Sequence, residues 1–334
     1  MKIFLLTEAG KNIGSGHITR CIALSQAFIE KGLYPYFVIN GDNSVKDLFK
    51  DKKYIIFNWL EERKRLFNLI KTSDIVIIDS YLADNTLYKG ISENAKLCVY
   101  IDDNKRIDYP KGILVNGGIY SLKLKYPKKR NLIYLLGFQY TILRKEFWYV
   151  GKKKVKKNIK DVMITFGGAD TKNITTKVLR LLTNEFPNFN KKVVIGKWFR
   201  NFNLIKKQKD ERTEFIEWAD ANKMKELMMK SDIVVSAGGQ ALFEFAQVGL
   251  PVIIIAANDK NQLKNINEWK KTGFIEYAGL WKDKNLENSL LNKINFVNNY
   301  NTRLQMSYNG KRILKKNGSL NVVSKILQEL TNKE

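Results

Sequence analysis

His17 is the only histidine among 334 residues, and it stands in Gly14-Ser15-Gly16-His17-Ile18-Thr19-Arg20, after an apolar run and at the start of an amphipathic one. An imidazole titrates near neutral pH, so it is the first candidate for moving a proton. Glycines before it remove bulk and let a ligand approach the backbone N–H groups of a helix start, a placement suited to an anion. Two more glycine-rich turns follow apolar runs, Gly167-Gly168-Ala169-Asp170 and Ala237-Gly238-Gly239-Gln240. Turns of this kind can neutralise a diphosphate without a metal. The first is no dinucleotide fingerprint: it lacks a third glycine, and no acidic residue closes a second strand about 20 residues on. Asp102-Asp103 suggests a metal or a carboxylate pair, but adjacent strand residues point to opposite faces. Turn chemistry is the expectation there, with no metal and no cofactor.

The elements that must position these residues read as strand then helix, repeated. Apolar runs at 1–7, 34–39, 74–79, 97–102 and 112–115 predict strands, and 18–31 predicts a helix with Ile22, Leu24, Ala27 and Phe28 near helical spacing. Asp74 to Asp79 is a β-branched run of the kind buried in a parallel sheet. In the second half, strands are expected at 161–166, 192–196, 214–216, 233–236 and 251–256. Helices are expected at 173–185, 223–229 and 242–248, then a polar loop and an amphipathic helical tail from Leu286. This is α/β, doubly wound organisation, whose ligands bind outside the carboxyl ends of strands.

A chain this long exceeds what one hydrophobic core usually supports, so two domains of about 150 residues are expected. The basic stretch Gly151 to Lys157 marks a linker around 146–159. The domains are then 1–148, carrying His17, and 159–310, binding nucleotide, with a helical tail over 311–334. No run reaches the roughly 18 apolar residues of a membrane helix. Glu8 comes too early for a secretory leader, so a cytoplasmic protein is expected. Cys21 and Cys98 lie in apolar surroundings and read as buried and reduced. The net charge of +25 comes from scattered lysines without aromatic platforms or a recognition helix, which argues against nucleic acid. Weak attraction to anionic lipid surfaces, or to an anionic nucleotide-linked substrate, accounts for the same charge.

Six blocks resemble one family in their order: Ile13 to Cys21, Val76 to Tyr81, Ile101 to Asp103, Gly137 to Phe147, Phe166 to Asn173 and Ser236 to Glu244. The chain resembles the UDP-2,4-diacetamido-2,4,6-trideoxy-β-L-altropyranose hydrolases of pseudaminic acid synthesis. These are similar to the lipid-II-forming N-acetylglucosaminyltransferase of peptidoglycan synthesis. The resemblance implies a GT-B fold, two Rossmann-like doubly wound domains facing across a cleft. It also implies a role for His17 as catalytic histidine and for Tyr81 as an active-site tyrosine. Gly14, Gly16 and Arg20, in the same first motif, would bind the substrate or its UDP. Gly167, Gly168, Asp170 and Asn173, with Ser236, Ala237, Gly238, Gly239 and Gln240, would face the UDP diphosphate. Glu244 would meet the ribose, and Asn261 and Gln262 the sugar or phosphates. Gln240 stands where many relatives have Ser or Thr, and the loop Asn258-Asp259-Lys260 follows the family pattern loosely.

Hydrolysis at an anomeric carbon needs a base near the water and stabilisation of a departing nucleoside diphosphate, which an imidazole and helix N-termini supply. The leaving group is already good, so the paired carboxylates of ordinary glycosidases are not required. The expectation is a metal-independent hydrolase that takes a UDP-sugar and releases UDP and free sugar. A GT-B glycosyltransferase with a lipid or protein acceptor, and a silent nucleotide-sugar binder, are the alternatives.

Overall fold

The computed structural model describes residues 1–10, 16–49, 51–257, 261–314 and 317–332, and of Asn261 the backbone alone. The chain divides into two compact units, Met1–Lys145 with Lys316–Glu334, and Glu146–Lys315.

The first unit runs β1 (Ile3–Ala9), α1 (Gly16–Ile29), β2 (Tyr36–Gly41), β3 (Tyr54–Ile56), α2 (Arg63–Ile70), β4 (Ser73–Asp79), α3 (Asn85–Asn94), β5 (Ala95–Ile101), β6 (Gly112–Asn116) and β7 (Leu132–Leu136). Among the described residues these strands form a seven-stranded sheet in the order β3-β2-β1-β4-β5-β6-β7. Every pairing is parallel. Strand order reverses between β1 and β4, so their carboxyl ends diverge around a crevice there. β4 shows why its sequence suits this place. Val76 and Ile78 join the core that holds Leu66, Leu87, Tyr88 and Tyr100, and Ile75 and Ile77 are equally buried on the other face. A strand covered on both sides reads as continuous apolar sequence. Asp79, two residues on from Ile77, ends the strand on the face of Ile75 and Ile77.

The second unit runs β8 (Asp161–Thr165), α4 (Ile174–Glu185), β9 (Asn190–Ile195), α5 (Phe202–Lys206), β10 (Thr213–Glu217), α6 (Ala221–Lys230), β11 (Ile233–Ser236), α7 (Ala241–Val248), β12 (Val252–Ala256), α8 (Asn261–Lys271), β13 (Ile275–Leu280), α9 (Leu286–Val297) and α10 (Tyr300–Ile313). Its strands are ordered β10-β9-β8-β11-β12-β13 among the described residues, so its reversal lies between β8 and β11.

The basic stretch expected as a linker belongs to this unit. Lys153 is buried and its Nζ donates to the carbonyls of Met228, Met229 and Ser231, which satisfies the end of α6. The buried Arg303 donates to the carbonyls of Lys156 and Lys157 and to those of Val297 and Asn298. Within the stretch, then, Lys153 holds backbone in place, and Lys156 pairs with Asp161.

The last helix, α11 (Gly318–Thr331), belongs to the first unit. Ser319 Oγ accepts from the Leu143 N–H at 2.8 Å and donates to the Leu143 carbonyl at 2.7 Å. A Cβ on Gly318 would collide with the Thr141 backbone, so glycine permits that approach. Cys21 and Cys98 are buried thiols, not bonded to each other. No described helix is long and apolar enough to cross a membrane.

Candidate active site

His17 opens α1 and Arg20 follows three residues later, so both side chains leave one face of the helix. Both reach Asp79 at the end of β4. His17 Nδ1 lies 2.6 Å from Asp79 Oδ1, and Arg20 donates from Nε to Oδ2 and from Nη2 to Oδ1, each at 2.7 Å. Burial favours the neutral acid at Asp79, but Arg20 and His17 outweigh it and hold the carboxyl down to about 2. An ionised carboxylate only accepts, so His17 carries its proton on Nδ1 and leaves Nε2 as the basic nitrogen. Burial disfavours the imidazolium, yet Asp79, with a smaller contribution from Glu8, overcomes burial and Arg20 and raises His17 above its ordinary 6.5.

Arg20 also donates from Nη1 to Asp103 Oδ1 at 2.7 Å, and Asp103 Oδ2 accepts the Tyr81 hydroxyl at 2.6 Å. The Tyr81 ring meets His17 edge-on, with centroids 4.5 Å apart and planes at 81°. Partial burial and then the Asp103 charge raise the Tyr81 phenol well above its ordinary value. Glu8, at the end of β1, fixes the turn that bears Tyr81 by accepting from Ser80 Oγ at 2.9 Å and the Tyr81 N–H at 2.7 Å. The cluster thus gathers residues from the carboxyl ends of three neighbouring strands, β1, β4 and β5, and the start of α1.

Asp102 and Asp103 do diverge, but only Asp102 does turn chemistry. It accepts from the N–H groups of Asn104 and Lys105 and from the Tyr126 hydroxyl. Asp103 turns toward Arg20 and Tyr81, and sequence reasoning missed it, along with Asp79 and Glu8. The signal available was position: each carboxylate ends or directly follows an apolar strand.

Of the other expected residues, Gly16 begins α1, and Gly14 lies outside the described residues. In the second unit, Gly167 and Gly168 follow β8, with Gly167 at φ +77°, a conformation that favours glycine. Asp170 caps α4 itself: its carboxylate accepts from the N–H groups of Ile174 and Thr175 at 2.9 and 2.8 Å. Burial raises its pKa, the reverse of Asp79. Asn173 takes a left-handed conformation, and its Oδ1 accepts from Thr176. A phosphate at the start of α4 would therefore compete with a side chain already there.

The start of α7 differs. Ser236 ends β11, Ala237, Gly238 and Gly239 form the turn, and Gln240 provides no side-chain cap. A Cβ on Gly239 would meet nothing within 4 Å. Glu244 lies buried in the first turn of α7. Asn261 begins α8, and Gln262 Oε1 accepts from the Ala257 N–H at 2.9 Å. The β8 and β11 turns flank the second unit's strand reversal, as His17 and Asp79 flank the first.

Comparisons with known proteins agree with this layout. Residues 161–320 match the glycosyltransferase family 28 C-terminal domain. The uncharacterized protein MJ1062 of Methanocaldococcus jannaschii is 26% identical over 273 residues, which are 78% of this chain and 56% of that protein. The chain therefore spans little more than half the length of that relative. The spore coat polysaccharide biosynthesis protein SpsG of Bacillus subtilis is 22% identical over the full length of both chains. The UDP-2,4-diacetamido-2,4,6-trideoxy-β-L-altropyranose hydrolase of Campylobacter jejuni is 26% identical over 61% of this chain and 78% of its own. Among solved structures, the S. aureus MnaA–UDP co-structure aligns over 99% of this chain and 97% of that one, with TM-score 0.68 and 16% identity. MurG of Acinetobacter baumannii aligns over 98% and 100%, with TM-score 0.58 and 14% identity. The fold is GT-B, built from two parallel-sheet α/β domains, and the resemblance to the altropyranose hydrolases stands.

Proposed function

We propose that this chain is a metal-independent hydrolase that cleaves the sugar C1–O bond of a UDP-linked 2,4-diacetamido-2,4,6-trideoxyhexose, releasing UDP and free sugar for nonulosonic acid synthesis. The observation that carries the reading is the His17–Asp79 pair, with Nδ1 bound to an ionised carboxylate. His17 Nε2 takes a proton from water as the water oxygen bonds to C1. The C1–O bond breaks, its electron pair leaves with the β-phosphate oxygen of UDP, and the imidazolium returns its proton to solvent. A general base of this kind contributes about 10² to 10⁴ in rate.

Roles divide between the units. Gly14, Gly16, Arg20 and Tyr81 serve the sugar end. In the second unit, the turn from Ser236 to Gln240 ahead of α7 receives the diphosphate. Gly167, Gly168, Asp170 and Asn173 shape the adjoining turn, Glu244 takes the ribose, and Asn261 and Gln262 the phosphates or sugar. The relative named as a UDP-diacetamido-trideoxyaltropyranose hydrolase supports the substrate class. The +25 charge supports attraction of this anionic substrate and weak attraction to anionic surfaces.

The family 28 match over 161–320 favours a second reading, transfer of a nucleotide-activated sugar to an acceptor. Incubation with UDP-diacetamido-trideoxyaltrose in chelator-treated buffer, followed by NMR beside His17→Phe, separates the two. Stoichiometric UDP and free sugar, lost in the variant, is the hydrolase result. UDP release only with an added acceptor is the transferase result.

A further inference from the structure

We propose that Asp103 is a positioning residue that fixes the Tyr81 hydroxyl as a hydrogen-bond acceptor, so that the site recognises a donor on the bound sugar, an amide N–H above all. The proposal rests on the sugar-nucleotide reading above and adds to it the polarity of one contact.

A phenol has one proton to donate and lone pairs to accept with. Tyr81 spends that proton on Asp103 Oδ2 at 2.6 Å. Asp103 cannot readily turn away, because its other oxygen is held by Arg20 Nη1 at 2.7 Å, and Arg20 is locked by two bonds to Asp79. The Tyr81 backbone is held as well, through its N–H to Glu8. Burial and the Asp103 charge keep the phenol un-ionised, so it offers a neutral acceptor rather than an acid.

The remaining lone-pair directions decide what can bind. Asn104 Nδ2 approaches the phenol oxygen at 3.5 Å, a length at which a hydrogen bond is weak, so it leaves room for a better donor. Tyr81 is 43% exposed, and its ring packs nearly perpendicular to the His17 imidazole. An acceptor beside the base suits a sugar that carries an acetamido N–H and penalises one with a keto or ester oxygen there, because two acceptors would face each other without a proton. The reacting chemistry is left to His17; Asp103 acts only through Tyr81.

The test uses the full chain with Asp103→Asn, Tyr81→Phe, the double variant and Asp103→Glu. With ζ-¹³C-labelled tyrosine, the Tyr81 resonance is assigned by its loss in Tyr81→Phe. In the unaltered protein it should stay un-ionised past the ordinary phenol pKa of about 10. In Asp103→Asn it should ionise at lower pH; an unchanged titration overturns the link between the two residues, whatever the substrate is. In steady-state hydrolysis of UDP-diacetamido-trideoxyaltrose, Asp103→Asn and Tyr81→Phe should each raise KM about tenfold with kcat little changed. The double variant should be no worse than Tyr81→Phe, and Asp103→Glu should recover part of the loss. Additive losses, or a fall in kcat at unchanged KM, overturn the acceptor role. Tyr81→Phe keeps the ring and changes only its partly exposed hydroxyl, so it still decides the matter if Asp103→Asn folds poorly. An unaltered protein that hydrolyses nothing sinks the hydrolase reading instead, and the NMR titration then decides the Asp103–Tyr81 link alone.

Discussion

Asp79 Oδ1 lies 2.6 Å from His17 Nδ1 and accepts Arg20 Nη2 at 2.7 Å as well, so one buried oxygen is shared between the only imidazole and a guanidinium. The sharing has two effects that pull apart. The carboxylate sets the tautomer that makes His17 Nε2 basic, and its charge raises the pKa that must be crossed before that nitrogen is free. Arg20 moderates the second effect without touching the first.

Activity should therefore rise with pH. His17 works as a base when neutral, and its pKa is raised above 6.5, so kcat/KM should climb through an apparent pKa on the alkaline side of 6.5. Asp79→Asn should lower kcat by about 10² to 10⁴ by releasing the tautomer. It should also move the remaining midpoint downward, because burial stays while the carboxylate charge is gone. A pH–rate profile of both proteins checks this; a midpoint that does not move would remove Asp79 from the account.

Stability should run the other way around neutrality. A protonated His17 is favoured in the folded state, so its contribution is full below the unfolded pKa of about 6.5 and fades as pH rises through the raised folded value. Asp79 behaves oppositely. Its folded pKa of about 2 means its contribution is present above the unfolded value, near 3.8, and is lost as pH falls toward 2. Urea midpoints from pH 2 to 9 should show an acid limb that Asp79→Asn flattens and a mild alkaline decline that His17→Phe abolishes.

At the second unit's turn, fold and function should separate. A methyl on Gly239 meets no atom within 4 Å, so Gly239→Ala should leave the melting temperature almost unchanged. It should still weaken UDP binding about tenfold, because the added methyl stands in the turn ahead of α7 proposed to receive the diphosphate. Calorimetric titration with UDP measures this, and an unaltered affinity would move the diphosphate away from α7.

Ser319 makes α11 part of the first unit. Ser319→Ala removes both hydrogen bonds that its hydroxyl makes to the Leu143 backbone, and should lower stability by about 1 to 3 kcal/mol. Hydrogen exchange should quicken at Val76 and Ile77 in β4 and stay level at Ile253 and Ile254 in β12. Equal quickening in both would mean that α11 serves the whole chain.

How much of this the sequence discloses follows from how local each feature is. β4 and β12 are legible because strands buried on both faces are written as unbroken apolar runs. His17 and Arg20 are legible as neighbours because three residues on a helix bring side chains together. The polar loop expected after β12 is partly the helix α8, where Leu263, Ile266 and Trp269 are spread singly among Asn, Gln, Lys and Glu, so the run reads as polar. Lys153 looks like linker charge until the three carbonyls at the end of α6 are brought to it. The meeting of Glu8, Asp79 and Asp103 depends on the strand order β1-β4-β5, which no spacing along the chain encodes.

The most direct test of the central claim is hydrolysis of UDP-diacetamido-trideoxyaltrose in ¹⁸O-water, with the label located by mass spectrometry. Attack at C1 by a water that His17 activates predicts ¹⁸O in the free sugar, none in UDP, and loss of turnover in His17→Phe. Label in the phosphate, or turnover that survives His17→Phe, would contradict it.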